Sequence, residues 1–104
     1  FADAKALAAP MIIDFGAEYC APCKIYETQI FANEKVHAAL GKRFVALRFD
    51  VTKNTDEDFA AQKRWQAQAL PTVILLDSKG KAVRRFGEPI PTPDEFLRAL
   101  GEVD

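Results

Sequence analysis

Two cysteines, Cys20 and Cys23, lie three positions apart near the beginning of the chain. A bridge between such close neighbours closes a very small loop, and by the chain-entropy estimate it adds only about 2 kcal/mol of stability. The pair is therefore a poor structural cross-link, and the chemistry it suits is reversible exchange between a dithiol and a disulfide. On a helical turn this spacing also brings the two residues within bridging distance.

A zinc site is one alternative for two nearby cysteines. Zinc normally takes four ligands, and His37 is the only other soft candidate in the sequence, alone on a predicted helix. A buried pair of inert thiols is the other alternative. The position of the motif between an apolar strand and a helix favours redox chemistry, so we expect no metal and no cofactor beyond the redox-active disulfide.

The elements around the motif assign a role to each sulfur. Residues 11–15 form a nearly continuous apolar run, which indicates a buried strand, and helical spacing follows over residues 24–30. The free N–H groups and the positive dipole end at the helix start favour a thiolate on Cys20. We expect Cys20 to be the nucleophile, nearer to solvent, and Cys23 to be the resolving thiol.

Two carboxylates are placed where they could act on these thiols. Asp14 lies within the buried strand, where burial raises the pKa of a carboxyl group, so it can accept and return the proton of Cys23. Glu27 follows Cys23 by one helical turn and shares its face. The alternatives are an Asp14 that reaches water at the strand end and a Glu27 that is solvated. The sequence favours a functional Asp14 and leaves Glu27 open.

A proline opens the third predicted strand. X-Pro bonds are those that can be cis, and a cis turn at Leu70–Pro71 exposes backbone N–H and C=O groups to a partner strand. An ordinary trans loop proline is the alternative. The expected substrate-binding residues flank the cysteines and this turn, and they are Tyr19, Ala21, Pro22, Leu70 and Pro71.

The remaining elements complete one α/β domain over residues 1–104. We predict a short Ala-rich helix over residues 2–9, a helix that Asn33 caps and Gly41 ends, strands over 44–49, 73–76 and 81–86, and helices that begin near Thr55 and at Thr92. Helix-connected strands favour parallel pairing, and the turn at 77–80 predicts an antiparallel C-terminal hairpin. The fold class is a mixed central sheet with helices on both faces.

Composition narrows the classes of partner. The 104 residues are 49% hydrophobic, which suits one domain with its own core. A net charge of −1 argues against nucleic acid, and no apolar run approaches the roughly 18–20 residues that cross a bilayer. We expect a monomer that does not itself insert into a membrane. The chain begins with Phe1 rather than Met, so we expect an excised domain or a processed product.

The chain resembles the thioredoxin superfamily over nearly its whole length. The resemblance is carried by Asp14-Phe15, by the run from Ala17 to Lys24 around the cysteines, and by Leu70-Pro71-Thr72, in the expected order and separation. It implies the thioredoxin fold, a cis Pro71 that faces the cysteine pair, and a buried Asp14 carboxylate below that pair.

Within that superfamily the chain resembles the C-terminal periplasmic domain of the thiol:disulfide interchange protein DsbD. This similarity is carried by Cys23-Lys24 with Glu27, by Phe31 and Val36, and by Asp50-Val51-Thr52-Lys53-Asn54. It implies a periplasmic disulfide reductase that receives electrons from a transmembrane partner domain and passes them to an N-terminal periplasmic domain. It also implies that Asp14 and Glu27 both influence the nucleophilic cysteine.

Two other functions stay open on the sequence. Ala21-Pro22 between the cysteines is nearer to cytosolic thioredoxin, so a free-standing thioredoxin, reduced by a thioredoxin reductase, is the first alternative. A redox-inactive binding module with the same fold is the second.

No histidine lies between the cysteines to stabilise a thiolate strongly. We therefore expect a reductant, with a reduction potential nearer to about −270 mV than to about −120 mV.

Overall fold

The computed structural model describes residues 9–104, so the short helix expected over residues 2–9 lies almost wholly outside the described residues. In chain order the elements are β1 (Met11–Gly16), α1 (Ala21–Ile25), a π-helical segment (Tyr26–Phe31), α2 (Glu34–Arg43), β2 (Val45–Asp50), α3 (Asp56–Arg64), β3 (Thr72–Leu76), β4 (Ala82–Phe86) and α4 (Pro93–Gly101).

The four strands form one mixed sheet in the order β2-β1-β3-β4. β1 and β2 are parallel, as predicted for strands joined by a helix, and β3 and β4 form the predicted antiparallel hairpin. The expectation that β3 would also be parallel is wrong, because β3 runs antiparallel to β1. β1 and β2 end at the same edge of the sheet, where Gly16 pairs with Asp50. The nine-residue α3 and the loop after it return the chain to that edge, so β3 must start there.

The side chains of β1 alternate between two apolar clusters. Met11, Ile13 and Phe15 belong to a cluster with residues from the α3 side, including Ala61, Trp65 and Ala67. Ile12 points to the opposite face and packs in a cluster with residues of the π-helical segment, α2 and α4. Helices therefore cover both faces of the sheet, as the sequence predicts.

Local side-chain caps fix where the helices begin. The Asn33 side chain accepts hydrogen bonds from the backbone N–H groups of Lys35 and Val36 at the start of α2. Thr55 and Thr92 each form a complete capping box. These starts agree with the predictions. The predicted end of α2 at Gly41 is wrong, because the helix continues to Arg43. The backbone at Gly41 stays helical, and Lys42 and Arg43 suit the negative end of the helix dipole.

The helix after β1 starts at Ala21, as expected for a helix whose first turn contains Pro22 and Cys23. Its hydrogen bonding becomes π-helical from Tyr26 to Phe31, which was not predicted. Within this segment Tyr26 and Ile30 are buried, and the Tyr26 hydroxyl donates a hydrogen bond of 2.8 Å to the backbone oxygen of Gly87. The segment after the cysteines is therefore tied to the loop that follows β4.

Candidate active site

The two cysteines form a disulfide at the N-terminus of α1, with their Cα atoms 5.3 Å apart. Cys20 is the N-cap residue, and its sulfur accepts a hydrogen bond of 3.2 Å from the backbone N–H of Cys23. Pro22 occupies the first turn of the helix, where no backbone donor is required. Both sulfurs thus lie together at the junction between a strand and a helix, as the sequence predicts.

The expectation that Cys20 lies nearer to solvent is not supported. The two residues are 7% and 6% exposed, a difference that assigns no role to either sulfur. The physical reason is the bond itself, which holds both sulfurs together at the start of α1. Their separate roles as nucleophile and resolving thiol therefore stay proposals.

Cys23 lies over the face of β1 that carries Asp14. A Cβ atom built on Gly16 would be 3.6 Å from both the Cβ and the Sγ of Cys23, so Cys23 lies at van der Waals distance from the direction in which a side chain at Gly16 would point. Asp14 and Gly16 are two positions apart in the strand and so share this face, at a spacing of roughly 6.7 Å. The Asp14 carboxylate and Cys23 are therefore on the same side of the sheet.

Burial raises the pKa of Asp14 from 3.8 to about 6. Arg48, which carries the opposite charge, lowers the pKa, and the like charge of Glu27 raises it. Because burial is the largest of these causes, Asp14 fits the group that the sequence predicts, a carboxylate able to take up a proton near neutral pH.

Glu27 is not a freely solvated helix residue. Its carboxylate forms an ion pair with the guanidinium of Arg48, and the two side chains are 40% and 59% exposed. It is also close enough to Asp14 for its charge to act on that carboxyl group. The structure therefore brings Glu27, Asp14 and Arg48 together on one side of β1.

The loop before Cys20 is tied to the loop after β2. The backbone N–H of Glu18 donates to the Thr52 hydroxyl at 2.9 Å, and the Tyr19 hydroxyl donates to the Asn54 side-chain oxygen at 3.2 Å. Tyr19 nevertheless stays 62% exposed, beside the disulfide in sequence. Through these contacts, residues 50–54 hold the loop before Cys20 in place. The sequence alone does not indicate this role.

Pro71 lies at the same edge of the sheet, and the Leu70–Pro71 bond is cis, as the resemblance implies. Leu70 packs against the apolar cluster that contains both cysteines. A Cβ on Gly87 would be 3.3 Å from the Pro71 oxygen, so Gly87 permits this close approach of two loops. A second cis bond, Glu88–Pro89, follows in the same loop and was not predicted.

Comparison with known proteins identifies the family. A family model described as a thioredoxin-like domain matches residues 1–104. The chain belongs to this family. Among curated proteins it is 37% identical over 78 residues to the thiol:disulfide interchange protein DsbD of Salmonella paratyphi A, and 38% identical over 80 residues to that of Vibrio vulnificus. These alignments cover 75% and 77% of the chain but only 14% and 13% of the relatives, so the chain matches a small part of their length.

Solved structures of thioredoxin-like domains show the same fold. The oxidised C-terminal domain of DsbD from Neisseria meningitidis superposes with a TM-score of 0.82 at 25% identity, covering 99% of this chain and 91% of that one. A thioredoxin from Thermus thermophilus gives a TM-score of 0.80 at 27% identity, covering 97% and 78%. The predicted thioredoxin fold is confirmed, and with the disulfide-bonded Cys20–Cys23 pair these matches support thiol-disulfide oxidoreductase chemistry.

The thioredoxin-like domain shows no sign of a metal centre in residues 9–104, where no group of three or more His, Cys, Asp or Glu side chains could hold an ion. Among the same residues, no helix has the length and apolar character to span a bilayer.

The group that sequence reasoning missed is Arg48. Its presence at the site follows from the β1–β2 register, in which it is the partner of Asp14.

Proposed function

We propose that this chain is a periplasmic protein-disulfide reductase that passes electrons through Cys20 and Cys23, in the manner of the C-terminal domain of DsbD. The observation that carries the proposal is the disulfide at the start of α1, with Cys23 over the face of β1 that bears Asp14. The sequence match to DsbD and the superposition on its C-terminal domain support the choice of this relative.

The reaction begins with the reduced pair. The Cys20 thiolate attacks a disulfide of the partner protein, which forms a mixed disulfide and releases one partner thiolate. Cys23 then attacks the Cys20 sulfur, forms the Cys20–Cys23 disulfide and releases the second partner sulfur. Two electrons pass from the cysteine pair to the partner, and the partner gains two protons in becoming a dithiol.

Asp14 serves the second attack, because Cys23 must lose its proton to become a nucleophile. With a pKa raised to about 6 by burial, the carboxyl group is ionised at pH 7 and more basic than an exposed aspartate. It accepts the Cys23 proton and returns it to solvent or to the leaving sulfur. Glu27 acts on this step through its charge on Asp14.

The partner surface surrounds the disulfide. Tyr19 offers an exposed aromatic ring on one side, Ala21 and Pro22 form the first helical turn, and the Leu70–Pro71 turn offers backbone groups to an extended segment. We propose that the chain acts as a monomeric domain. Its partners are proteins with reducible disulfides and a dithiol donor in a transmembrane domain.

Reduction of a protein disulfide such as that of insulin tests the proposal. The original chain should turn over with dithiothreitol as donor, and Cys20→Ser should fall to the uncatalysed rate. Cys23→Ser should instead accumulate a mixed disulfide that excess dithiothreitol releases. Ala99→Ser is the control, since it places a hydroxyl at a site that is buried, like the cysteines, but lies in α4. Equal rates for Cys20→Ser and the original chain would favour a redox-inactive binding module.

A free-standing thioredoxin is the second candidate, favoured by the superposition on the thioredoxin of Thermus thermophilus. It predicts efficient reduction of the Cys20–Cys23 disulfide by a thioredoxin reductase with NADPH. The DsbD-like function predicts little turnover with that enzyme and rapid exchange with the periplasmic N-terminal domain of DsbD. Comparing the two rates in one preparation decides between them.

A further inference from the structure

Arg48 occupies a position between the two carboxylates of the redox site. It is the register partner of Asp14 across the parallel β1–β2 ladder, so the two side chains project from the same face of the sheet. Its guanidinium forms the ion pair with Glu27. Cys23 lies over this same face, at Gly16. The fold therefore gathers one cation, two carboxylates and the resolving thiol from four elements, which are β2, β1, the π-helical segment and α1.

Two clefts meet at the Arg48 side chain. One, of about 390 Å³, is lined by Asp14 and by apolar residues of α2, β1 and β2. The other, of about 470 Å³, lies beside the loop before Cys20 and is lined by Ala17, Glu18, Lys24 and Glu27. Arg48 lines both, so it stands between the cleft that leads to Asp14 and the cleft beside the active-site loop.

The groups that face Asp14 come from each neighbouring element. The π-helical segment contributes Tyr26 and Glu27, β2 contributes Arg48, and α2 contributes His37 to the wall of the same cleft. Burial and Glu27 both favour the protonated carboxyl group, whereas Arg48 favours the carboxylate. Arg48 thus opposes the two influences that would keep a proton on Asp14.

We propose that Arg48 is a positioning residue for thiol–disulfide exchange, which holds Glu27 in an ion pair beside Asp14 and so keeps Asp14 free to take the proton of Cys23. The proposal rests on the proposed function and adds a member to its site. Without Arg48, the charges of Glu27 and Asp14 would face each other with no cation between them. Asp14 would then remain protonated to a higher pH, so near pH 6 fewer molecules would carry the carboxylate that accepts the Cys23 proton.

The titration of Asp14 in the oxidised protein tests this directly, because no thiol titrates in that form. The measurement is the ¹³C shift of the Asp14 carboxyl carbon against pH. Arg48→Gln should raise the Asp14 midpoint by about half a pH unit, a size suited to a partly exposed ion pair. Glu27→Gln should lower the midpoint, and Arg48→Lys should stay near the original value.

Arg84→Gln is the matched control, because Arg84 is also an exposed strand arginine that acts on a glutamate, Glu95, but lies in β4. It should leave the Asp14 midpoint in place. An unchanged midpoint in Arg48→Gln, or an equal shift in Arg84→Gln, overturns the proposal. The ion pair is largely exposed, so unfolding midpoints in urea should stay nearly equal among these variants at pH 4, where Asp14 is protonated in all of them.

The rate of exchange supplies the second measurement. The reduced chain is mixed with a small aromatic disulfide, and the slow release that depends on Cys23 is followed from pH 5 to 9. Arg48→Gln should move this profile to higher pH and slow the step about 2-fold at pH 6 and about 3-fold at pH 5, where half a pKa unit acts in full on the ionised fraction of Asp14. The double variant Arg48→Gln, Glu27→Gln should return toward the original profile.

The two failures are distinguishable in this assay. If the original reduced chain does not react with the disulfide, or Cys20→Ser reacts equally well, the proposed function fails. If the original chain reacts and Cys20→Ser does not, but the Arg48→Gln profile superposes on the original, the function stands and the role of Arg48 is refuted.

Discussion

One face of β1 is closed by apolar packing, whereas the opposite face carries a carboxylate that lines a cleft. On the closed face Met11, Ile13 and Phe15 are almost fully buried, and Phe15 stacks on Phe49 with ring centroids 4.7 Å apart. On the open face Ile12 is also buried, but Asp14 is only partly buried and lines a cleft, and Gly16 presents no side chain to Cys23. The alternation of side chains thus places Asp14 on the face opposite to Met11, Ile13 and Phe15 within one six-residue strand.

The disulfide lies where these two faces meet. Cys20 and Cys23 belong to the cluster of the closed face, and Cys23 also reaches over Gly16 on the open face. The closed face holds β1 in place, so the open face can keep a carboxylate whose ionisation burial makes costly. The comparison predicts that substitutions on the closed face lower stability, whereas substitutions on the open face change how stability and reactivity depend on pH.

The largest effect is expected for Phe15→Ala on the closed face. Phe15 is 0% exposed, so its truncation should leave a cavity and lower the free energy of unfolding by about 3–5 kcal/mol. Urea denaturation at pH 7 measures the change. Phe59→Ala, at a side chain 58% exposed, is the control and should cost less than about 1 kcal/mol. Similar losses in both variants would mean that the closed face is not close-packed.

Asp14→Asn on the open face should instead raise the free energy of unfolding at neutral pH. The pKa of Asp14 in the folded chain, about 6, lies above the ordinary 3.8. Below pH 3.8 the carboxyl group is protonated in the folded and the unfolded chain and costs no stability. As the pH rises from 3.8 through 6, the unfolded chain loses this proton more readily, so the free energy of unfolding falls. The shift of roughly two units corresponds to about 3 kcal/mol. The amide variant should therefore be more stable than the original chain by that amount at pH 8.

The pH dependence of this difference is its internal control. Unfolding free energies of Asp14→Asn and the original chain should converge near pH 4, separate between pH 4 and 7, and stay parallel above. Exchange that depends on Cys23 should slow in the variant, because an amide accepts no proton there. A stability difference that does not vary with pH would show that Asp14 is not the buried acid of the open face.

Local signals explain which parts of the fold could be predicted. The apolar run of β1, the cysteines at the strand-to-helix junction and the capping residues Asn33, Thr55 and Thr92 each act on their immediate neighbours, and the structure agrees with them. Asp14 was also found in this way, since a carboxylate within an apolar run is a local anomaly.

Non-local geometry explains what could not be predicted. The direction of β3 depends on where the chain returns after α3, and the place of Arg48 depends on the pairing of β1 with β2. The π-helical turns from Tyr26 to Phe31 accompany a hydrogen bond to Gly87, far along the sequence. No periodicity within a single element encodes such contacts, so the ion pair that accompanies Glu27 appears only in the folded chain.

The smallest effect is expected for Gly16→Ala, which places one methyl group beside Cys23 on the open face. At 3.6 Å from the Cys23 Cβ and Sγ, the added carbon makes an ordinary van der Waals contact, so neither the strand nor the disulfide must move. Restricting the unfolded chain should then raise the unfolding free energy by about 0.5 kcal/mol, as should the control Gly41→Ala, where no atom lies within 4 Å. Urea denaturation and the exchange assay measure both variants. A loss above about 1 kcal/mol in Gly16→Ala alone would mean that Cys23 leaves no room for the added methyl group, and that the open face is packed as tightly as the closed one.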